Sequence, residues 1–202
     1  MCITEITNRP KLHEIDYSPG IEPLQITDAQ LIADAKIVGD LDNRDVWLNN
    51  VHGENVYFTI SNDTVDGLII LNNNYYLIGI KKYASIPGLI TMLVGFVVHR
   101  LKKKVTIGRN EPLTSEGLDW LCSLIRAGGR GLTVTDQHGQ MPNEDAIRQE
   151  WQGAMKNSLS GGPTAITIES RMTRKLRTRA ECLAEGRSLM PTNWFIGDEN
   201  IV

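Results

Sequence analysis

Residues 75–108 constrain the fold of this chain most, because they read as a strand, a turn, an apolar helix and a second strand. The first strand is predicted at residues 75–81, the helix at 85–103 and the second strand at 104–107. Backbone N–H groups at the start of a helix have no partner within it, so anions are favoured there. The segment is therefore the best candidate in the sequence for a cofactor site.

The apolar run at residues 86–98 is interrupted by Pro87, Gly88, Thr91 and Gly95. A helix that spans a bilayer needs roughly 20 apolar residues, so this run predicts no membrane span. It is apolar nearly all round over its first three turns, which predicts a helix buried against a sheet. A re-entrant membrane segment is the alternative interpretation.

Composition indicates an ordinary globular chain. Its 202 residues suffice for one domain with a core, and its net charge of −3 gives no general attraction to nucleic acid or anionic membranes. The three cysteines (Cys2, Cys122 and Cys182) are far apart and odd in number, which argues against a disulfide framework or a zinc knuckle. The N-terminus has no basic stretch followed by an apolar one, so we expect no secretory signal and a cytoplasmic location.

The chain divides into three regions by composition. Residues 1–20 are polar and contain Pro10 and Pro19, which predicts an extended N-terminal arm; the alternative is a strand that docks on a partner. Residues 21–170 carry the alternating apolar patterns of a folded domain. Residues 171–202 are predicted to form a basic helix and a C-terminal tail.

The domain is predicted to begin with a strand at residues 22–27 and a helix. Thr27 or Asp28 is a good N-cap for that helix, and Gly39 is expected to end it. Residues 40–50 are predicted to contain a second short helix.

A run of strands and helices is predicted after these two helices. Polar turns between the next three strands are short enough for antiparallel hairpins, and the chain then alternates helix and strand to residue 169. This order predicts an α/β (α+β) fold, with a mixed, largely antiparallel sheet and helices on both faces. The three strands are expected at residues 56–60, 67–71 and 75–81.

In this order of elements the chain resembles the GNAT superfamily of N-acetyltransferases. In that family the fourth strand leads into a central helix whose first turn holds the coenzyme A pyrophosphate, and the acyl arm lies between the fourth and fifth strands. Residues 75–81 would be the fourth strand, 85–103 the central helix and 104–107 the fifth strand, in a GNAT-like domain at residues 21–170. The family often has an asparagine after the fifth strand and a lysine–hydrophobic–glycine sequence at the end of its fourth helix. Asn110 and Arg126-Ala127-Gly128 are similar to these two features.

The sequence departs from the family pattern at three points. The family's pyrophosphate turn is Arg/Gln-x-x-Gly-x-Gly/Ala, whereas residues 82–88 offer one glycine, and Pro87 removes a backbone donor. The tyrosine that commonly serves as general acid would fall near Leu124, and residues 75–81 contain no acidic residue.

The resemblance implies acetyl-coenzyme A as cofactor, no metal, and a small-molecule or protein amine as acyl acceptor. Backbone amides of the fourth strand would polarise the thioester carbonyl, and the turn after it would meet the phosphates. A charged strand end is the alternative interpretation of Lys81 and Lys82. The expected cofactor-binding residues are Ile78, Ile80, Lys82, Ser85, Gly88 and Leu89.

The expected catalytic residues are His52, His138 and Asn110. His52 precedes Glu54 and His138 follows Asp136, so each imidazole has a nearby carboxylate that could orient it as a base. A solvated loop is the alternative for both histidines, and the four histidines have no metal-binding spacing.

Two other functions compete with acyl transfer. Degenerate GNAT-like domains appear among the internal core proteins of short-tailed phages, so a catalytically inactive assembly protein within a phage particle is the alternative, with a homo-oligomer or a larger assembly as partner. The basic residues from Arg171 to Arg179 could contact nucleic acid, but no aromatic residue lies among them, so nucleic acid is the least favoured partner.

Overall fold

The fold is that of a computed structural model, which describes residues 12–15, 24–41, 43–108, 115–126, 131–157 and 165–171. Those residues form four α-helices and ten β-strands in three sheets. The predicted basic helix and tail lie outside them from residue 172 onward, as does most of the predicted N-terminal arm.

A two-stranded ribbon begins the described chain. β1 (Leu12–Ile15) pairs antiparallel with β2 (Leu24–Thr27), so part of the predicted arm forms a strand on the chain itself. Thr27 then caps α1 (Asp28–Ala33). Its hydroxyl accepts the Gln30 amide at 3.2 Å and the Gln30 side chain accepts the Thr27 amide at 2.9 Å, which makes a capping box.

A five-stranded antiparallel sheet follows, with its strands in chain order. Two-residue turns with positive φ, at His52–Gly53 and Asn62–Asp63, suit the twist of tight hairpins. The strands are β3 (Lys36–Leu41), β4 (Arg44–Val51), β5 (Glu54–Ser61), β6 (Thr64–Leu71) and β7 (Leu77–Lys82).

The predicted helix at residues 40–50 is wrong, because this stretch is the hairpin of β3 and β4. Asn43 adopts a φ of 65° in the turn, a conformation that asparagine tolerates better than most residues. Trp47 lies opposite both Ile37 and Phe58, so pairing on both sides holds β4 extended. The preceding helix likewise ends at Ala33, before the predicted stop at Gly39.

Each face of the five-stranded sheet carries its own core. Side chains alternate between faces along a strand: Phe58 packs with Leu31 of α1, whereas Tyr57 packs with residues of the long apolar segment that follows β7. We call these clusters the α1-side core and, after the helix α2 (Leu89–Gly95) in that apolar segment, the α2-side core. Helices therefore cover both faces, and the predicted mixed fold with a largely antiparallel sheet is confirmed.

The predicted buried helix is confirmed, although it starts later than expected. α2 (Leu89–Gly95) runs directly into a π-helical turn at Phe96–Arg100. Leu93 and Val97 are fully buried in the α2-side core. Gly88 has a φ of 71°, outside the right-handed helical region, so the helix cannot extend back through it to the predicted start.

The rest of the described chain forms a three-stranded sheet and two helices. In this sheet β10 (Ile166–Ser170) lies between β8 (Val105–Ile107) and β9 (Leu132–Thr135) and is antiparallel to both. A parallel bridge between Tyr76 and Thr106 joins this sheet to the end of β7. The elements in chain order are β8 (Val105–Ile107), α3 (Ser115–Arg126), β9 (Leu132–Thr135), α4 (Glu144–Asn157) and β10 (Ile166–Ser170).

Ion pairs on the outside hold α3 against α4. Arg126 pairs with Glu144, and Arg148 donates to the Asp119 carboxylate at 2.7 Å. None of the helices in the described ranges is both long and apolar enough to cross a membrane.

Candidate functional site

A cavity of about 500 Å³ opens at the C-terminal end of β7. Three walls enclose it: the end of β7 and the residues after it (80–83), the start of α2 (88–91), and the first turns of α3 at Glu116, Gly117 and Trp120. A volume of this size is typical of sites for small molecules and cofactors.

The edge of β7 at the cavity is open because β7 and β8 touch only near their starts. The Thr106 amide donates to the Tyr75 carbonyl at 3.0 Å, and the single bridge pairs Thr106 with Tyr76. Beyond it, the register between β6 and β7 shifts at Ile78, which is the extra residue of a bulge. Bulges bend a strand and increase its twist, and no described residue of β8 pairs with β7 past this point.

Two backbone amides of β7 face this open edge. The Tyr83 amide donates to the Asp66 carbonyl at 2.8 Å, on the β6 side. Successive amides along a strand point to opposite sides, so those of Lys82 and Ile80 point away from β6. They are donors on the cavity side of the strand.

The start of α2 forms the second wall. Its amides at Ile90 and Thr91 have no carbonyl one turn earlier within the helix, which leaves partial positive charge at this end. The Met92 amide donates to the Gly88 carbonyl at 2.9 Å. Pro87 has no N–H, so the turn before the helix supplies fewer donors than an ordinary loop would.

Trp120 connects the second wall to the third. Its indole N–H donates to the Thr91 hydroxyl at 3.1 Å, and the ring packs partly against the α2-side core. These contacts fix the indole as a rigid side of the cavity. Glu116 lies one turn earlier on α3, where its negative charge suits the helix start.

Lys81 borders the cavity, but it pairs with Leu68 of the α1-side core, so its side chain lies on the face of the sheet away from α2. Two charged side chains remain on opposite walls of the cavity, those of Lys82 and Glu116. Both are exposed, and neither has an ion-pair partner among the described residues. The cavity therefore presents positive charge on the β7 wall and negative charge on the α3 wall.

Residue 83 borders the cavity, but the phenol of Tyr83 lies on the α1 face of the sheet. Burial, with a smaller contribution from the Asp28 carboxylate, raises the pKa of Tyr83 to about 12. The phenol therefore stays protonated at neutral pH. Its ring packs against the α1-side core, on the face away from α2.

The structure brings together four of the six expected cofactor-binding residues: Ile80, Lys82, Gly88 and Leu89. The other two do not line the cavity. The Ile78 side chain packs against the α1-side core, and Ser85 is exposed in the loop between β7 and α2.

The two histidines among the expected catalytic residues lie apart from the cavity. His52 is exposed in the turn between β4 and β5, at the end of the sheet where Asn55 pairs with Leu71. Lys82 pairs with Gly67 at the other end, which is about 13 Å farther along the strands. His138 is exposed in the turn after β9, where its amide donates to the Asp136 carboxylate at 2.8 Å. Asn110 lies outside the described residues.

Sequence reasoning missed the α3 wall. Trp120, Glu116 and Thr91 belong to no motif in the sequence. Only the packing of α3 against α2, 29 residues apart at the Trp120–Thr91 bond, brings these side chains to the cavity. No set of His, Cys, Asp or Glu side chains suited to a metal ion occurs within the described ranges. No protein-family model, curated protein or solved structure matches this chain.

Proposed function

We propose that this chain is an N-acyltransferase-like protein that binds an acyl-coenzyme A thioester at the end of β7. The observation that carries the proposal is the cavity at the point where β7 leaves β8, with open strand amides on one side and the start of a buried helix on another. A strand that ends beside a helix start offers donors to both the carbonyls and the phosphates of such a ligand.

The order of elements around the cavity supports this assignment. An antiparallel meander leads through β7 into α2, then β8 and α3, which is the order that the GNAT resemblance implies. A single helix, α1, precedes the meander in the described chain, where the family has two. Lys82 and the α2 amides fit the anionic part of coenzyme A, although Pro87 removes one donor from the turn.

Acyl transfer at this site would use the open edge of β7. An amine attacks the thioester carbonyl carbon, the carbon–sulfur bond breaks, and an amide and a free thiol result. The Ile80 amide would donate to the carbonyl oxygen as negative charge develops on it. Water takes the proton from the amine and returns one to the thiolate, because neither expected histidine lines the cavity.

The position of the histidines favours a second candidate function. His52 and His138 lie away from the cavity, and the α3 position expected for the family's general acid holds Leu124, which is buried and apolar. These features fit a domain that keeps the binding site and has lost the chemistry. Such a domain would serve as an assembly protein, as expected for a phage internal protein.

Thermal unfolding with and without acetyl-coenzyme A tests the proposal. At a hundred times its dissociation constant the ligand should stabilise the protein by about 2.7 kcal/mol, which raises the Tm by roughly 5–10 °C. Lys82→Glu should reduce the shift, whereas Lys36→Glu, an exposed lysine on β3 away from the cavity, should leave it unchanged. The absence of any shift in wild-type protein would refute acyl-coenzyme A binding.

Turnover separates the two candidate functions. Release of free thiol from acetyl-coenzyme A in the presence of a primary amine supports the transferase. A Tm shift without thiol release across small amines and lysine-containing peptides supports the binding protein.

A further inference from the structure

We propose that Trp120 and Glu116 form a base-binding subsite that accepts an adenine-type purine. This inference rests on the proposed function and deepens it, since it assigns the nucleotide end of the ligand to the α3 wall. The phosphates would then lie near Lys82 on the opposite wall.

Trp120 is held in one orientation, which suits its ring to stacking. Its N–H already donates to the Thr91 hydroxyl, so the indole is held in one orientation and has no donor left to offer a ligand. The ring borders the cavity and is partly buried on its other side against the α2-side core. A flat aromatic surface fixed in this way contributes through its face, and nucleic-acid bases stack on such faces.

Glu116 gives this surface a preference among bases. An ionised carboxylate only accepts hydrogen bonds, and Glu116 has no ion-pair partner among the described residues. The exocyclic amine of adenine is a donor and would satisfy the carboxylate. Hypoxanthine carries a carbonyl acceptor at that position, which would face the carboxylate oxygen and be disfavoured.

The separation of charge fixes the direction in which a nucleotide lies. A phosphate beside Glu116 would meet like charge, whereas beside Lys82 it meets opposite charge. The base is therefore left with the aromatic wall. Both groups fit within a cavity of about 500 Å³.

The test compares ligands that differ only in the base or its presence. Dissociation constants are measured by titration calorimetry for coenzyme A and for 4′-phosphopantetheine, which lacks the nucleotide. Trp120→Ala should weaken coenzyme A roughly tenfold, as expected when base stacking is lost, and leave 4′-phosphopantetheine unchanged. Trp120→Phe keeps an aromatic face and should retain most of the affinity. Because the phenylalanine variant keeps an aromatic ring in the core contact, it also keeps the test valid if the alanine variant does not fold.

Base preference is tested separately with ADP and IDP. Wild-type protein should bind ADP more tightly than IDP, and Glu116→Gln should reduce the ratio of the two constants. Asp145→Asn, the same loss of one negative charge in the first turn of α4, should leave the ratio unchanged.

The outcomes distinguish the subsite from the proposed function. Equal weakening of coenzyme A and 4′-phosphopantetheine by Trp120→Ala, or no weakening of either, overturns the subsite while acyl-coenzyme A binding stands. Wild-type protein that binds neither ligand overturns the proposed function. ADP binding that depends on Trp120 would support the subsite even then, and its absence would overturn both.

Discussion

The backbone carbonyl of Asp66 accepts the amide of Tyr83 at 2.8 Å and so fixes the direction in which the chain leaves β7. The Ala84 amide donates to the same oxygen, also at 2.8 Å. Asp66 can receive both because it is the extra residue of a bulge: the register passes from Thr59–Gly67 to Ile60–Val65 around it. The cavity wall at residues 80–83 therefore depends on a residue of the neighbouring strand.

Asp66→Ala should lower the free energy of unfolding. The buried carboxylate accepts hydrogen bonds from the Thr59 hydroxyl at 3.2 Å and from the Ser61 hydroxyl at 2.9 Å, and the Arg44 guanidinium lies 3.9 Å away. Removal leaves the fully buried Thr59 hydroxyl without this acceptor, at a cost of about 2–3 kcal/mol. Urea unfolding measures the loss.

Asp45→Ala is the matched control for this variant, because Asp45 is an exposed aspartate on β4 of the same sheet. Its effect should stay within about 0.5 kcal/mol. Equal effects of the two substitutions would show that the hydrogen bonds of the Asp66 carboxylate add nothing to stability.

Gly39→Ala should destabilise the protein through a single steric contact. A Cβ at this position would lie 2.5 Å from Cε2 of Phe96, at the start of the π-helical turn. The Phe96 ring is buried and cannot move away without disturbing the α2-side core. Overpacking of this kind costs about 1–3 kcal/mol, which thermal or urea unfolding measures.

A double-mutant cycle identifies the contact. Phe96→Leu alone should destabilise because it leaves a cavity, but Gly39→Ala added to it should cost less than in the wild-type background. Strictly additive effects would contradict a clash between these two residues.

His99 should make stability fall with decreasing pH. The side chain is buried on the π-helical turn, 2.6 Å from the Ser170 hydroxyl at Nδ1. Burial, with a smaller effect of Lys102, lowers the pKa of His99 to about 4, against 6.5 for the free side chain. Between these values the unfolded chain binds the proton more readily. The free energy of unfolding therefore falls by on the order of 2–3 kcal/mol from pH 7 to pH 4 and then levels off.

The comparison of His99→Gln with wild type isolates this effect from the carboxylates, which also titrate at low pH. The variant should be less stable at pH 7, and the difference should shrink as the pH falls through 6.5 to 4. His52→Gln, in an exposed turn, should follow the wild-type profile. A constant difference between His99→Gln and wild type across this range would show that His99 does not titrate in the folded state below its usual pKa.

Much of this fold can be predicted from the sequence because apolar residues recur with a clear period. The apolar run after residue 86, the amphipathic α3 and the strands at 56–60 and 67–71 were all predicted from local patterns. The β3–β4 hairpin was not. Val46, Trp47 and Leu48 suit a helix as well as a strand, and only pairing with β5 decides between the two.

The residues of the candidate site likewise fall into those that local sequence predicts and those that only tertiary contacts bring to the cavity. Lys82 and Gly88 are six positions apart in the sequence and both line the cavity, so a local motif could identify them. Trp120 reaches the cavity through a contact with Thr91 that no local pattern encodes. Nearby carboxylates in the sequence predict His52 and His138 as bases, but the strand register places His52 at the far end of the sheet.

Lys82→Ala should weaken the binding of an anionic ligand and make it less sensitive to salt. Lys82 is exposed at the cavity mouth, and no carboxylate among the described residues pairs with it. Loss of one exposed attraction to a phosphate should raise the dissociation constant of coenzyme A about threefold at 0.05 M salt, with a smaller difference at 0.5 M, where screening is strong. Lys36→Ala, an equal change of net charge on β3, should leave both constants unchanged. If the two alanine variants bind coenzyme A equally well at low salt, the phosphates do not lie on the β7 wall.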